Sequence, residues 1–215
     1  MKILVVGANG QIGKHLVGFI QESETLTARA MIRNQEQASF FENIGAETAI
    51  VDLEDDIDVI AKAVNGVDAI VFTAGSGPRT GFDKTLLIDL DGAVKTIEAA
   101  KQVGVDRFIM ISSFDTSREE IQREEKIKPY VVAKHYADNW LRETDLKHTI
   151  IHPGILTNDA GTGKVKAAPK LESADVTRED IANVILACLE DDKTIGREFQ
   201  VVAGSTPIKE AIESL

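Results

Sequence analysis

The sequence contains one cysteine, Cys188, and no group of histidines and cysteines at the spacing of metal ligands. A single cysteine cannot form an internal disulfide, so we expect a protein of the reducing cytoplasm without a structural metal site. The apolar run at the N-terminus, Ile3 to Val6, is far shorter than a signal-peptide core or the roughly 20 apolar residues that span a bilayer. We therefore expect a soluble, unprocessed chain.

Positive charge is also scarce: the chain has 24 Lys and Arg but 35 Asp and Glu, so its formal net charge is −11. An acidic surface repels phosphate backbones and anionic lipids, and no local basic patch offsets that repulsion. We therefore expect neither nucleic acid nor a membrane as a partner, and a small molecule as substrate. The 215 residues, 43% of them hydrophobic and only 5 of them proline, predict one globular domain.

Short β-branched runs alternate with longer helical patterns along the chain, which is typical of repeated βαβ units. The fold predicted for residues 1–215 is α/β: a doubly wound parallel sheet of about seven strands, with helices on both faces and a small C-terminal extension on the substrate side. The predicted strands are 2–6, 26–32, 47–51, 69–72, 107–111, 148–152 and 198–202, and the predicted helices are 12–22, 35–44, 56–64, 82–103, 129–143 and 178–190. Segments 114–128 and 157–176 lack periodicity and are predicted as loops, and residues 153–177 are predicted as a substrate-side loop.

The first predicted strand leads directly into a glycine-rich turn and then into an amphipathic helix. Three glycines of this turn are spaced as GxxGxxG. At such a turn one glycine permits the tight bend, a second lets backbone N–H groups approach a pyrophosphate, and the third allows close packing of the helix on the strand. We therefore predict that a dinucleotide binds here, against the alternative of a tight turn without ligand. The predicted contacts are Gly7, Asn9, Gly10, Gln11, Ile12 and Gly13.

The end of the second strand distinguishes the two nicotinamide cofactors. An Asp or Glu there would bind the ribose 2′-hydroxyl, whereas an Arg accommodates the 2′-phosphate. This strand ends at Arg33, 20 residues after Gly13, without a carboxylate. We therefore predict NADP(H) in preference to NAD(H), with Asp52 and Leu53 beside the adenine. The alternatives are a solvated Arg33 and an Asp52 that only caps the next helix.

Tyr130 and Lys134 are four residues apart and therefore share one face of a predicted helix. A nearby ammonium stabilises phenolate and would lower the pKa of the tyrosine, which could then protonate a carbonyl oxygen that accepts hydride. The helix follows the fifth strand, whose last residues, Ser112 and Ser113, would point into the same crevice. The alternative is structural, with Tyr130 packed on the sheet and Lys134 solvated.

These motifs resemble those of the short-chain dehydrogenase/reductase superfamily, and more closely those of its atypical NAD(P)H-binding, NmrA-like members. The resemblance covers essentially the whole chain and rests on residues 7–13, 67–75, 89–92 and 112–113, on the Tyr130 and Lys134 pair, and on residues 152–154. It implies an NADP-binding Rossmann domain in which Ala74 and Gly75 line the cofactor ribose and Pro153, Gly154 and Ile155 lie along the nicotinamide. It also implies that Ser112 or Ser113 polarises the substrate carbonyl, that Tyr130 is the acid, and that Lys134 holds the nicotinamide ribose.

Two features depart from the pattern of the superfamily. Asp89 stands where the superfamily has an asparagine, and a carboxylate cannot donate a hydrogen bond as an amide does, although it could pair with Lys134. The spacing from Ser113 to Tyr130 is 17 residues, where the superfamily usually has about a dozen.

Two hypotheses about function therefore stay open. The first is an NADP(H)-dependent oxidoreductase that acts on a small carbonyl, quinone or flavin. The second is a non-catalytic NADP(H) sensor that reports to a protein partner. A third, an epimerase or dehydratase, is less favoured because only 63 residues follow His152, which leaves little chain for a substrate domain.

Four further residues are interpreted from their positions. Cys188 is expected in the core, Trp140 in core or rim packing, and His135 on the surface. His152 ends the sixth strand at the ligand edge of the sheet, so it is expected either to be structural or to contact the substrate.

Overall fold

The structure is a computed structural model, and it describes residues 1–77 and 79–215. The strands are β1 (Lys2–Val6), β2 (Thr27–Ile32), β3 (Glu47–Ile50), β4 (Ala69–Phe72), β5 (Arg107–Ile111), β6 (Lys147–Pro153), β7 (Ile155–Thr157), β8 (Lys164–Ala168), β9 (Asp175–Thr177), β10 (Arg197–Ala203) and β11 (Thr206–Pro207). The helices are α1 (Gln11–Glu22), α2 (Ala38–Asn43), α3 (Ile57–Val64), α4 (Phe82–Lys84), α5 (Ala93–Val103), α6 (Arg118–Arg123), α7 (Lys128–Arg142), α8 (Arg178–Glu190) and α9 (Ile208–Glu213). No helix of the described residues is long and apolar enough to cross a bilayer.

The main sheet of the described chain has the strand order β11-β8-β10-β6-β5-β4-β1-β2-β3. Every neighbouring pair from β3 to β10 is parallel. The winding reverses between β1 and β4, and open α/β sheets bind their ligands beside such a reversal. The predicted fold class, a doubly wound parallel sheet with helices on both faces, is confirmed.

The strand β1 illustrates how both faces of the sheet are covered. Ile3 and Val5 pack with α1, α8 and α9 on one face, and Leu4 and Val6 pack with α3, α5 and α7 on the other. Side chains alternate along a strand, so a strand that is buried on both faces needs a continuous apolar run. Cys188 of α8 is fully buried in the first of these two layers, as expected.

The sheet has nine strands instead of the predicted seven, because β8 and β11 add an antiparallel edge. The sequence of β8 is KVKAA and only Val165 in it is fully buried, so its apolar pattern does not reveal a strand. A second, two-stranded sheet pairs β7 with β9. The predicted loop over 153–177 is therefore wrong for β7, β8 and β9. The predicted loop over 114–128 contains α6, whose Ser117 cap accepts the Glu120 N–H.

The predicted helix over 82–103 is present but is not uniform. Its middle part, Thr85–Gly92, is π-helical and joins α4 to α5. A π-helical turn changes the direction in which side chains project and is frequent at functional sites. Asp89 lies in this segment and is fully buried.

Candidate cofactor cleft and active site

The turn after β1 is formed by glycines that a larger residue could not replace. Gly7 has φ +80°, and a Cβ on it would lie 2.6 Å from Cα of Ala74. A Cβ on Gly13 would lie 2.5 Å from the carbonyl oxygen of Gly7. Helix α1 begins at Gln11, and its N-cap Gly10 provides no side chain to occupy the free N–H groups. The turn therefore presents bare backbone and the positive end of a helix to an anionic group.

A cleft of about 490 Å³ lies beside this turn. Seven of the predicted cofactor contacts line it: Gly7, Asn9, Gly10, Arg33, Asp52, Leu53 and Gly75. Gln11, Ile12 and Gly13 form the first turn of α1 behind them, and Ala74 packs against Gly7. A cradle without room for side chains, next to an uncapped helix N-terminus, fits the pyrophosphate of a dinucleotide.

Positive side chains line the outer part of this cleft. Arg33 is exposed, and its backbone N–H donates to Oε1 of Gln37 at 3.1 Å. Arg79 and Lys84 also line the cleft, and Lys84 pairs with Glu54 at 2.5 Å. The sequence analysis did not predict Arg79, because no motif surrounds this residue. Arg79 follows β4 and lines the cleft only in the folded chain.

Lys134 lies in the interior of the site and is only 2% exposed. Its Nζ is 3.4 Å from the carbonyl oxygen of Ala74, just after β4, and 3.4 Å from that of Ile111, the last residue of β5. The same Nζ is 3.5 Å from Oδ1 of Asp89. The predicted pairing of Lys134 with Asp89 is confirmed, and the alternative of a solvated lysine is wrong. Oδ2 of Asp89 accepts the backbone N–H of Ser76 at 3.0 Å.

Tyr130 is one helical turn before Lys134, whose Nζ is 5.8 Å from the centre of the tyrosine ring. Burial raises the pKa of the Tyr130 phenol; Lys134 opposes this shift, while Asp89 adds to it. The expectation of a lowered pKa is therefore wrong in its net sign, because desolvation outweighs the effect of the ammonium. Burial alone would lower the pKa of Lys134, but the negative charges near it, among them Asp89 and Asp138, raise it. At neutral pH the site therefore contains a protonated phenol beside a cationic lysine.

Asp138, which sequence reasoning missed, continues the same helix face. It lies four residues after Lys134, is fully buried, and its Oδ2 accepts the hydroxyls of Ser112 at 2.6 Å and Thr116 at 2.9 Å. Burial raises its pKa, and His152 and the two hydroxyl donors oppose that shift. The Ser112 hydroxyl is therefore committed to Asp138, whereas no hydrogen bond joins the Ser113 hydroxyl to any described residue. The spacing of four from Lys134 was the signal that could have revealed Asp138.

A second cavity, of about 860 Å³, lies beyond α7 over β6 and β10. His152, Glu198, Arg142 and His135 are among its lining residues. His135 is half-buried rather than on the open surface, and its Nδ1 donates to the Thr116 carbonyl at 2.6 Å. Tyr130 and Lys134 do not line either cavity. The predicted nicotinamide contacts Pro153, Gly154 and Ile155, at the end of β6, do not line them either. Trp140 is not in the core: it is 48% exposed, and its indole N–H donates to Glu98.

Known proteins are similar to this chain in sequence and in fold. A relative from Bacillus subtilis, named an uncharacterized sugar epimerase, is 48% identical over 215 residues and is matched over its full length by the whole chain. A UPF0659 protein of Saccharomyces cerevisiae is 32% identical, with 100% of this chain and 99% of that protein covered.

Among solved structures, a putative NAD-dependent epimerase/dehydratase from Bacillus halodurans superimposes with a TM-score of 0.94, at 41% identity and full coverage of both chains. A short-chain dehydrogenase/reductase of Veillonella parvula, solved in complex with NADP, shares the fold with a TM-score of 0.77 at 19% identity, over 96% of each chain. The model of the NAD(P)H-binding family matches residues 7–192. The chain belongs to the NAD(P)H-binding family.

Proposed function

We propose that this protein is an NADP(H)-dependent oxidoreductase that reduces a small carbonyl, quinone or flavin. One observation carries the proposal: the buried ammonium of Lys134 lies beside the phenol ring of Tyr130. The same ammonium faces the carbonyl oxygens of Ala74, just after β4, and of Ile111, at the end of β5. Ala74, which follows β4, packs against Gly7 of the glycine turn. A proton donor next to a dinucleotide cradle is the arrangement that carbonyl reduction needs.

Each residue has a distinct task in this proposal. Gly7, Gly10 and the first turn of α1 would hold the pyrophosphate, and Lys134 would hold the nicotinamide ribose. When bound, the reduced cofactor supplies the hydride. Tyr130 would donate its proton to the substrate oxygen, a role that suits a phenol whose raised pKa keeps it protonated at neutral pH. Ser113, whose hydroxyl is not committed elsewhere, would donate a hydrogen bond to the same oxygen.

Turnover that depends on Tyr130 is the first test. NADPH oxidation is followed at 340 nm against quinones, free flavins and small carbonyls, and NADPH affinity is measured separately by fluorescence. Removing a general acid lowers kcat by about 100-fold to 10,000-fold, which is the loss expected for Tyr130→Phe at unchanged NADPH affinity. Tyr136→Phe is the matched control, because Tyr136 is exposed and its hydroxyl accepts a hydrogen bond from Arg118.

The outcomes of that test separate the hypotheses. Equal turnover in Tyr130→Phe and wild type would remove the tyrosine as acid and leave direct hydride transfer to a flavin or quinone. NADPH binding without turnover on any acceptor would favour the sensor hypothesis, which the replacement of the usual asparagine by Asp89 also supports.

We also propose that the cofactor is NADP(H). Arg33 lines the cleft without a carboxylate beside it at the end of β2, and Arg79 adds a second guanidinium to the same cleft. Arg33→Ser should weaken NADPH binding by about tenfold to 100-fold, since a hydrogen-bonded charge is lost. NADH affinity in the same variant is the internal control and should stay within about twofold. An equal loss for both cofactors would place Arg33 outside the 2′-phosphate site.

An epimerase is a second candidate, because the relatives from Bacillus subtilis and Bacillus halodurans carry that name. Epimerisation leaves no net oxidation of the cofactor, so it would escape the assay at 340 nm. Incubation with nucleotide sugars, followed by chromatography of the products, distinguishes it from reduction. Interconversion of two sugar epimers without added NADPH would favour the epimerase.

A further inference from the structure

Three backbone carbonyls that follow β5 are each held by a side chain from another element. The Ser113 carbonyl accepts from Nδ1 of His152, the Phe114 carbonyl from Nε2 of Gln200, and the Thr116 carbonyl from Nδ1 of His135. His152 is at the end of β6, Gln200 is in β10 and His135 is in α7. The segment that carries Ser113 is therefore fixed from three sides.

The hydrogen bonds of His152 define its protonation state. Nδ1 faces the Ser113 carbonyl, and Nε2 faces Oε1 of Glu198 at 2.8 Å. A carbonyl oxygen and a carboxylate oxygen can only accept, so both ring nitrogens must donate. His152 is therefore an imidazolium, on the geometry alone.

His135 provides a contrast in the same network. Its Nδ1 donates to the Thr116 carbonyl, but its Nε2 faces Nδ2 of Asn139 at 3.0 Å. The amide of Asn139 is oriented by Arg142, which donates to the amide oxygen. Nδ2 must then donate and Nε2 of His135 must accept, so this ring is neutral.

We propose that His152 is a positioning residue: as an imidazolium it bridges Glu198 and the Ser113 carbonyl, and thereby holds the Ser113 hydroxyl towards the substrate oxygen. The inference rests on the proposed function, which gives Ser113 its catalytic role. Within the described residues, no hydrogen bond or ion pair joins the His152 ring to the glycine turn or to Lys134, so His152 acts through Ser113.

The charges around His152 also favour its cationic form. Burial lowers its pKa, but Glu198, Asp138 and the Ser113 carbonyl together raise it above its ordinary value. Arg142 of α7 is bound to the same Glu198, with Nη2 at 2.6 Å from Oε1 and Nε at 2.9 Å from Oε2. The other charged groups that line the cavity in front of His152 are Asp115, Glu119, Arg123 and Lys170.

Two substitutions of His152 separate its two hydrogen bonds. The amide of Asn reaches the position of Nδ1 and can still donate to the Ser113 carbonyl, whereas the amide of Gln reaches the position of Nε2 and can donate only to Glu198. His152→Gln should lower kcat by about tenfold or more through loss of a charged hydrogen bond, and His152→Asn should lower it several-fold less. NADPH affinity should stay unchanged in both variants. Equal losses, or a larger loss in His152→Asn, would overturn the proposal, since a residue that only fills space is better replaced by the larger Gln.

Glu198→Gln supplies an independent test through the pH profile. Loss of the carboxylate lowers the pKa of His152, so the imidazolium is lost at a lower pH on the alkaline side. The alkaline limb of kcat should therefore move to lower pH in Glu198→Gln. An unmoved limb would contradict a cationic His152 that acts on the reaction.

Nitrogen-15 NMR of the cofactor-free protein tests the inference without turnover. At pH 7 the His152 ring should show two protonated nitrogens and the His135 ring one. The Ser113 amide signal should shift in His152→Gln and much less in His152→Asn. A neutral His152 ring, or a Ser113 signal unchanged in His152→Gln, would overturn the inference even if the protein is a reductase. If wild type turns over no acceptor, the proposed function fails, and these signals still decide whether His152 positions Ser113.

Discussion

Replacing Lys134 by methionine tests whether a buried ion pair stabilises the site. The Lys134 ammonium is 3.5 Å from Oδ1 of Asp89, and the two side chains are 3% and 0% exposed. Methionine keeps most of the packing of the lysine stem but leaves a buried carboxylate whose Oδ1 has no hydrogen bond within the described part of the chain. Removing one partner of a buried pair costs about 3–5 kcal/mol in the free energy of unfolding. We expect that loss at pH 7, measured by urea unfolding of the cofactor-free protein.

A double-mutant cycle separates the pair from the loss of packing. Asp89→Asn keeps an oxygen for the Ser76 N–H but removes the charge that faces Lys134. The Lys134→Met/Asp89→Asn variant buries neither charge of the pair, so its loss should fall short of the sum of the single losses by about 2–3 kcal/mol. Lys147→Met is the matched control, because the 3.8 Å pair of Lys147 with Asp106 is exposed and contributes less than about 1 kcal/mol. Single losses that add in the double variant, within about 0.5 kcal/mol, would refute the reasoning.

Two further predictions concern the glycine turn and the cavity. Gly13→Ala should abolish measurable NADPH binding, because its methyl group would meet the Gly7 carbonyl. Gly18→Ala, whose Cβ meets no atom within 4 Å, should retain binding. Fluorescence titration measures both, and normal NADPH affinity in Gly13→Ala would contradict a pyrophosphate site at this turn. Burial raises the pKa of Glu198, but hydrogen bonds from His152 and Arg142 lower it to about 2, so its contribution to folding is present above the ordinary value of 4.5 and is lost as pH falls towards 2. That contribution is about 1 kcal/mol, because the carboxylate is 39% exposed and screened by solvent. Urea midpoints should therefore fall less steeply below about pH 4.5 in Glu198→Gln than in wild type, and equal slopes would count against the ion pair.

The cofactor turn could be predicted because its requirements are local. Gly7 needs a left-handed φ, and Gly13 needs space for the Gly7 carbonyl, so the glycine spacing encodes the turn directly. Strands β1, β4 and β5 were likewise visible because strands buried on both faces are nearly continuous apolar runs. Strand β8 was invisible for the opposite reason. It lies near the edge of the sheet, alternates lysine with small residues, and forms only because β10 and β11 are beside it.

The pairing of Tyr130 with Lys134 was visible for a similar local reason, whereas the partners of His152 were not visible. Tyr130 and Lys134 are one helical turn apart, and the same spacing leads on to Asp138. The partners of His152 are 39 residues away at Ser113 and 46 away at Glu198. No periodicity joins these positions, because parallel strands that are neighbours in the sheet are far apart in the chain.

The sign of the Tyr130 pKa shows why charge has to be summed over the whole site. In the sequence, the spacing of four places the Lys134 ammonium beside the phenol, and an ammonium alone would favour phenolate. In the fold two buried carboxylates, Asp89 and Asp138, share the face of the lysine, so the cation is compensated while burial still penalises phenolate. A phenol that stays protonated can give a proton to an oxygen that gains negative charge, but it cannot take one from an alcohol. Within the proposed function, the balance of charges around Lys134 therefore suits Tyr130 as a proton donor rather than as a proton acceptor at neutral pH.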